Sequence, residues 1–160
     1  METQNNKTTL FIADCNQGKE LAEIFKKDNK FEVIGVSADG AETLSEIKKN
    51  TPDILLMDVM LPTLDGFALI ENIQNSTSLV KKPKIVVVSS LTHEGFITKA
   101  MQLGVSYFMI KPVDEKILID RVNEIASHDK VSITSIAATE NSGENIAAKY
   151  KAKITEEKIT

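Results

Sequence analysis

The sequence predicts an α/β domain in which a five-stranded, doubly wound parallel sheet carries helices on both faces. Three observations lead there. Five short apolar runs, at residues 10–13, 33–36, 54–57, 85–88 and 105–110, are spread through residues 1–128. Each is followed by apolar residues three and four apart, the period of a helix with one buried stripe. The runs are also nearly continuous in apolar character, as in strands covered on both faces. Strand–helix alternation of this kind leads to a parallel sheet, because parallel neighbours need crossover helices.

The elements follow in order. After the first run, Leu21, Ile24 and Phe25 form a helical stripe; after the second, Ala41, Leu44 and Ile47 do so. The third run ends at Asp58, and the loop beyond it holds Leu61-Pro62, which favours an extended or turn conformation. Asp65-Gly66 then opens the next helix, with Asp65 as its cap and with no chemical role, and Phe67, Ile70 and Ile73 form the stripe. Phe96, Ala100 and Leu103 follow the fourth run, and Leu118, Val122 and Ile125 the fifth. From 129 to 160 the pattern stops, and the Ser-, Thr-, Ala-, Glu- and Lys-rich segment reads as a linker or flexible tail with no effector domain. A helix over 144–154 is marginal without packing partners.

Composition bounds the function. With 160 residues, 42% hydrophobic and 26% charged, the chain suits one globular domain plus a remainder. A net charge of -4 argues against a general nucleic-acid surface, so direct nucleic-acid contact by this domain is not expected. The first ten residues are polar, and no apolar run approaches the roughly 18 residues of a membrane helix, so a cytoplasmic protein without membrane contact is expected. The single cysteine, Cys15, can form no internal disulfide, which agrees with a reducing compartment.

The chemistry gathers at the strand ends. Strand one is followed by Asp14-Cys15, strand three by Asp58, strand four by Ser89-Ser90 and strand five by Lys111-Pro112. In the flavodoxin-like order 2-1-3-4-5 expected here, ligands bind at the carboxyl ends of the strands, at the switch point between strands one and three. Two acids, a hydroxyl and an ammonium therefore converge from distant parts of the sequence. An aspartate at a strand end is by itself more often a cap or turn residue, and the convergence is what moves Asp58 towards chemistry. The set suits phosphoryl transfer to a carboxylate: Asp58 as nucleophile, Lys111 on one phosphoryl oxygen, Ser89 on another, and a divalent cation to neutralise charge. Oxygen ligands would select Mg²⁺ or Mn²⁺.

At these residues the chain resembles the receiver domain of bacterial two-component response regulators. The resemblance covers residues 7–128. It rests on Asp58 with Pro62 and Asp65-Gly66 after it, on Ser89 twenty-two residues before Lys111, and on Lys111-Pro112 closing the fifth run. It implies that Asp58 is the phosphoacceptor, charged by a histidine kinase or phosphotransfer protein, and that the domain is otherwise not an enzyme. Asp14, Asp58 and the Met60 backbone carbonyl become the metal ligands, Ser89 and Lys111 the assisting groups, and Ser89 with Phe108 the conformational switch. The output face implied, also a homodimer interface, is made by the fourth helix, fifth strand and fifth helix. Within the family, segments 33–36, 61–66 and 103–108 look most like receivers of sporulation-initiation regulators, which implies transcription control.

One position departs from the pattern. Receivers usually carry two adjacent acids after strand one, and the second, typically a direct metal ligand, is here Cys15. A thiol is a poor ligand for a hard cation and adds no negative charge in its protonated form, so Mg²⁺ is expected to bind weakly. Asp14 could coordinate in its place, phosphotransfer could persist at high Mg²⁺, or the domain could be a phosphorylation-independent pseudo-receiver that acts as a protein-interaction module. Cys15 otherwise reads as a small, partly buried side chain filling the place of the acid. Phe108 reads equally as a core aromatic. His93 and His128 read as surface or helix-end residues, and Lys81-Lys82 and Lys149, Lys151 and Lys153 as solvated charge. A phosphatase of the haloacid dehalogenase type would need a second aspartate where Met60 stands. A flavin carrier would need a phosphate-cradling first turn, and residues 14–18 are acidic there.

Overall fold

The computed structural model describes residues 7–127. The five apolar runs become β1 (Thr8–Ala13), β2 (Phe31–Ser37), β3 (Ile54–Met57), β4 (Lys84–Ser89) and β5 (Tyr107–Ile110). They alternate with α1 (Gly18–Lys26), α2 (Gly40–Lys49), α3 (Gly66–Gln74), α4 (Glu94–Gln102) and α5 (Glu115–Ser127). All strand pairs are parallel and the order is β2-β1-β3-β4-β5, the flavodoxin-like order expected from the sequence. Growth of the sheet reverses between β1 and β3, where Ala13 pairs with Met57. The residues that follow these two, Asp14 and Asp58, thus leave the sheet side by side.

The central strands explain why the apolar runs are continuous. All four residues of β3 are buried, as are those of β5, and the only water-facing part of β4 is its first residue, Lys84. Burying a Leu, Ile or Val side chain stabilises by about 1.5–3 kcal/mol, so these strands are held where both faces are covered. On one side Phe25 of α1 meets Phe31 of β2 edge to face, with centroids 5.0 Å apart. Leu118, Val122 and Ile125 of α5 are buried together, as their spacing predicts.

Four local expectations are corrected. β2 is an edge strand, paired on one side only, and Ile34 and Val36 remain 37% and 43% exposed. In α2 the buried residues are Gly40, Thr43 and Ile47; Ala41 faces solvent and Leu44 is only partly covered. Thr43 can turn inward because its hydroxyl donates to the Asp39 carbonyl at 2.8 Å. β5 starts at Tyr107 and not at Val105. Gly104 has φ +91° and the Val105 N–H returns to the Ala100 carbonyl, so the chain is still closing α4 there. Lys81 is paired with Asp53 at 2.6 Å, not merely solvated.

Asp65 caps α3 as expected, accepting the Phe67 and Ala68 N–H groups. His93 is the corresponding cap of α4, its Nδ1 accepting the Gly95 N–H at 3.0 Å. Among the described residues no helix is long and apolar enough to cross a membrane. The readings of His128, of residues 129–160 and of their lysines lie outside the described residues.

Candidate acidic pocket at the sheet switch point

Asp14 and Asp58 are carried to one point by strand register, and Lys111 joins them from the end of β5. Its Nζ lies 2.9 Å from Asp14 Oδ2 and 3.0 Å from Asp58 Oδ2. The three side chains are 1%, 7% and 12% exposed in the order Asp14, Asp58, Lys111. Burial works against the Lys111 ammonium, yet the hydrogen bonds and coulombic pull of both aspartates outweigh it and hold its pKa above the ordinary lysine value. The remaining carboxylate oxygens face backbone donors. Asp14 Oδ1 accepts from Asn16 and Gln17 N–H at 2.8 and 2.7 Å, and Asp58 Oδ1 from Met60 N–H at 3.1 Å. Both acids are fixed in direction before any ligand arrives.

The oxygen donors here suit a hard divalent cation in part. Asp14, Asp58 and the Met60 carbonyl are oxygen ligands, and two carboxylates against one ammonium leave a net negative charge to attract it. Cys15 breaks the set. It is exposed, not partly buried as expected, and its thiol donates to the Met60 carbonyl at 3.3 Å. The oxygen it bonds belongs to Met60, a residue that is itself 57% exposed. Among the described residues no three His, Cys, Asp or Glu side chains are grouped to hold a metal. A cation at this point would draw on two carboxylates, one carbonyl and water.

Ser89 ends β4 fully buried, and its Oγ accepts the Leu91 N–H at 3.2 Å. It is tied to the lysine through the backbone, since the Lys111 N–H donates to the Ser89 carbonyl at 2.9 Å. Phe108 is 1% exposed, paired in register with Val87, and forms part of the core. The Lys111–Pro112 peptide bond is cis.

Sequence reasoning missed the turn that braces this site. Asp39 caps α2 through Oδ1 and takes the Thr63 hydroxyl on Oδ2 at 2.5 Å, which ties the β2–α2 turn to the loop after Asp58. An Asp-Gly pair with Glu42 three residues later is a readable helix start. The contact with Thr63 joins positions 24 residues apart, and no local pattern announces it.

The response regulator receiver domain family matches residues 14–123. The signal receiver domain of NarL from Mycobacterium tuberculosis superposes with a TM-score of 0.70 at 21% identity, covering 76% of this chain and 98% of that one. A LuxR-family two-component response regulator from Aurantimonas sp. gives 0.72 at 19% identity, covering 96% and 99%. The CheX–CheY complex with BeF3⁻ and Mg²⁺ from Borrelia burgdorferi contains a chain that matches with 0.66 at 26% identity, covering 74% of this chain and 88% of that one. The chain belongs to the response regulator receiver domain family.

Proposed function

We propose that this receiver takes a phosphoryl group on Asp58 from a histidine kinase or phosphotransfer protein. The observation that carries the reading is the single ammonium of Lys111 bridging Asp14 and Asp58 at the switch point. An Asp58 carboxylate oxygen forms the new bond to phosphorus as the bond to the donor's histidine nitrogen breaks, and the electron pair leaves with that nitrogen. Lys111 then shifts from Asp58 towards a phosphoryl oxygen, and Ser89 donates its hydroxyl to another. A Mg²⁺ or Mn²⁺ ion held by Asp14, Asp58 and the Met60 carbonyl would supply charge neutralisation on the remaining oxygens. Withdrawal of Ser89 opens space beside Phe108, and the α4–β5–α5 face changes its preference for partners, a homodimer among them.

Beryllofluoride, which mimics an acyl phosphate, tests this by ¹⁹F NMR across a Mg²⁺ series. An adduct that disappears in Asp58→Asn is the expected outcome. The CheY complex named above, with BeF3⁻ and Mg²⁺, supports the choice of probe. A second reading is favoured by the thiol on the Met60 carbonyl: a pseudo-receiver that works as an interaction module without phosphorylation. Absence of any Asp58-dependent adduct at tens of millimolar Mg²⁺ selects it. Regulation of transcription at the start of sporulation, in the cytoplasm, is the finer reading, and it rests on segments 33–36, 61–66 and 103–108 alone. Deletion of the gene with a sporulation count tests it.

A further inference from the structure

We infer that the turn between β2 and α2 clamps the phosphoacceptor loop against the acidic pocket, with Asp39 and Thr63 as positioning residues for the Met60 carbonyl. The inference rests on the reading of Asp58 as phosphoacceptor and extends it to residues outside the pocket.

The loop from Asp58 to Gly66 is closed at its base, where the Gly66 N–H donates to the Val59 carbonyl at 2.8 Å. Its tip is held from outside. Pro62 offers its carbonyl to the Gly40 N–H at 3.1 Å and to the Leu64 N–H at 2.8 Å, and Thr63 donates its hydroxyl to Asp39. Thr63 stands at φ +73°, a conformation that a β-branched residue adopts only when its surroundings impose it. The Leu64 N–H closes a γ-turn around Thr63 on the Pro62 carbonyl, which accounts for the positive φ, and the bond to Asp39 fixes the side chain that this turn presents. Gly40 is pressed so close that an added Cβ would stand 1.8 Å from the Leu64 carbonyl oxygen.

The same turn reaches the other acid. The Ser37 carbonyl accepts the Asp14 N–H at 3.0 Å, and the Ser37 hydroxyl accepts the Asp39 N–H at 3.1 Å while lying 2.6 Å from Glu42 Oε1. Residues 37–40 therefore hold both acid-bearing loops at once. The Thr63 hydroxyl first, and then the Glu42 N–H, keep the Asp39 carboxyl below its ordinary pKa, so the clamp stays charged. Capping of α2 accounts for Asp39 Oδ1 and leaves the Oδ2 contact unexplained. Met60 lies three residues before Thr63 on the anchored arm, so slack at the tip moves its carbonyl relative to Asp58.

The test compares Thr63→Val, which keeps shape and β-branching but loses the hydroxyl, with Thr63→Ser, which keeps the hydroxyl. Hydrogen exchange of the Met60 N–H, read by NMR on the full chain, needs neither metal nor phosphodonor. The valine variant should exchange faster and the serine variant like wild type. In parallel, the Mg²⁺ concentration that half-saturates the beryllofluoride adduct should rise roughly tenfold in Thr63→Val and return in Thr63→Ser, the size usual for groups that orient metal ligands. Asp39→Asn, which retains the helix cap, replaces the valine variant should that one not fold. A variant that lowers thermal stability while both readouts stay at wild-type values overturns the inference. A wild-type protein that forms no adduct at any Mg²⁺ defeats the phosphoacceptor reading instead, and the Met60 exchange comparison still decides the clamp.

Discussion

The Cys15 thiol donates to the Met60 carbonyl at 3.3 Å, so a sulfur hydrogen occupies an oxygen proposed above as a metal ligand. The substitution therefore has two effects at one place: a carboxylate is missing, and the thiol has taken a lone pair of another candidate ligand. Cys15→Asp should reverse both. We expect the Mg²⁺ concentration that half-saturates the beryllofluoride adduct to fall by roughly tenfold or more. Cys15→Ala removes the thiol without adding charge and should shift it much less; equal shifts in the two variants would point away from the lost acid as the cause.

Lys111 is the only cation bonded to the two buried aspartates among the described contacts. Lys111→Met leaves both carboxylates in place with their compensation removed, and breaking a buried ion pair in this one-sided way costs about 3–5 kcal/mol. Urea unfolding at neutral pH should show a loss of that order. A change below about 0.5 kcal/mol, the size of an ordinary surface substitution, would mean that the pocket admits enough water to screen its charges.

Alkaline solution should weaken the fold through two groups with the same sign. The Lys111 pKa is raised above 10.5 in the folded state, so its contribution is complete below that pH and is lost as pH rises through the folded value. Tyr107, pushed by burial from 10.0 to about 12, keeps its proton in the folded chain after the unfolded chain has released it. Stability therefore falls as pH rises from 10 towards 12, by about 2–3 kcal/mol from the tyrosine. Tyr107→Phe should flatten this part of the curve in urea unfolding measured from pH 8 upwards, and a parallel curve would assign the loss elsewhere.

Gly40→Ala places a methyl group 1.8 Å from a backbone oxygen, Leu64 O, which cannot rotate away as a side chain can. The two loops must separate, and the overpacking should cost roughly 1–3 kcal/mol. Thermal unfolding checks the stability. Amide chemical shifts at Leu64 and Thr63 check the place of the strain, since a shift confined to α2 would show that the helix moved alone.

Much of this was legible because it is local. Continuous apolar strands, helical stripes and the cap at Asp65 depend on spacing within some ten residues, and the residues that end each strand, Asp14, Asp58, Ser89 and Lys111, could be read once the alternation was seen. The face of α2 was misread because its rotation is set by Gly40 meeting Leu64 and by Thr43 finding the Asp39 carbonyl. The start of β5 was misplaced because Val105 is apolar and buried while its N–H still belongs to the end of α4.

By itself the sequence determined the parallel α/β architecture, the strand ends that carry chemistry and the missing acid at position 15. These follow from periodicity and from residue types, which need no knowledge of distant neighbours. The tertiary structure alone decided that one lysine bridges both aspartates, that the Cys15 thiol bonds the Met60 carbonyl, and that Asp39 holds Thr63. Each is a contact between residues 24 to 97 positions apart. Such contacts exist only after strand register has brought separate loops to the same edge of the sheet.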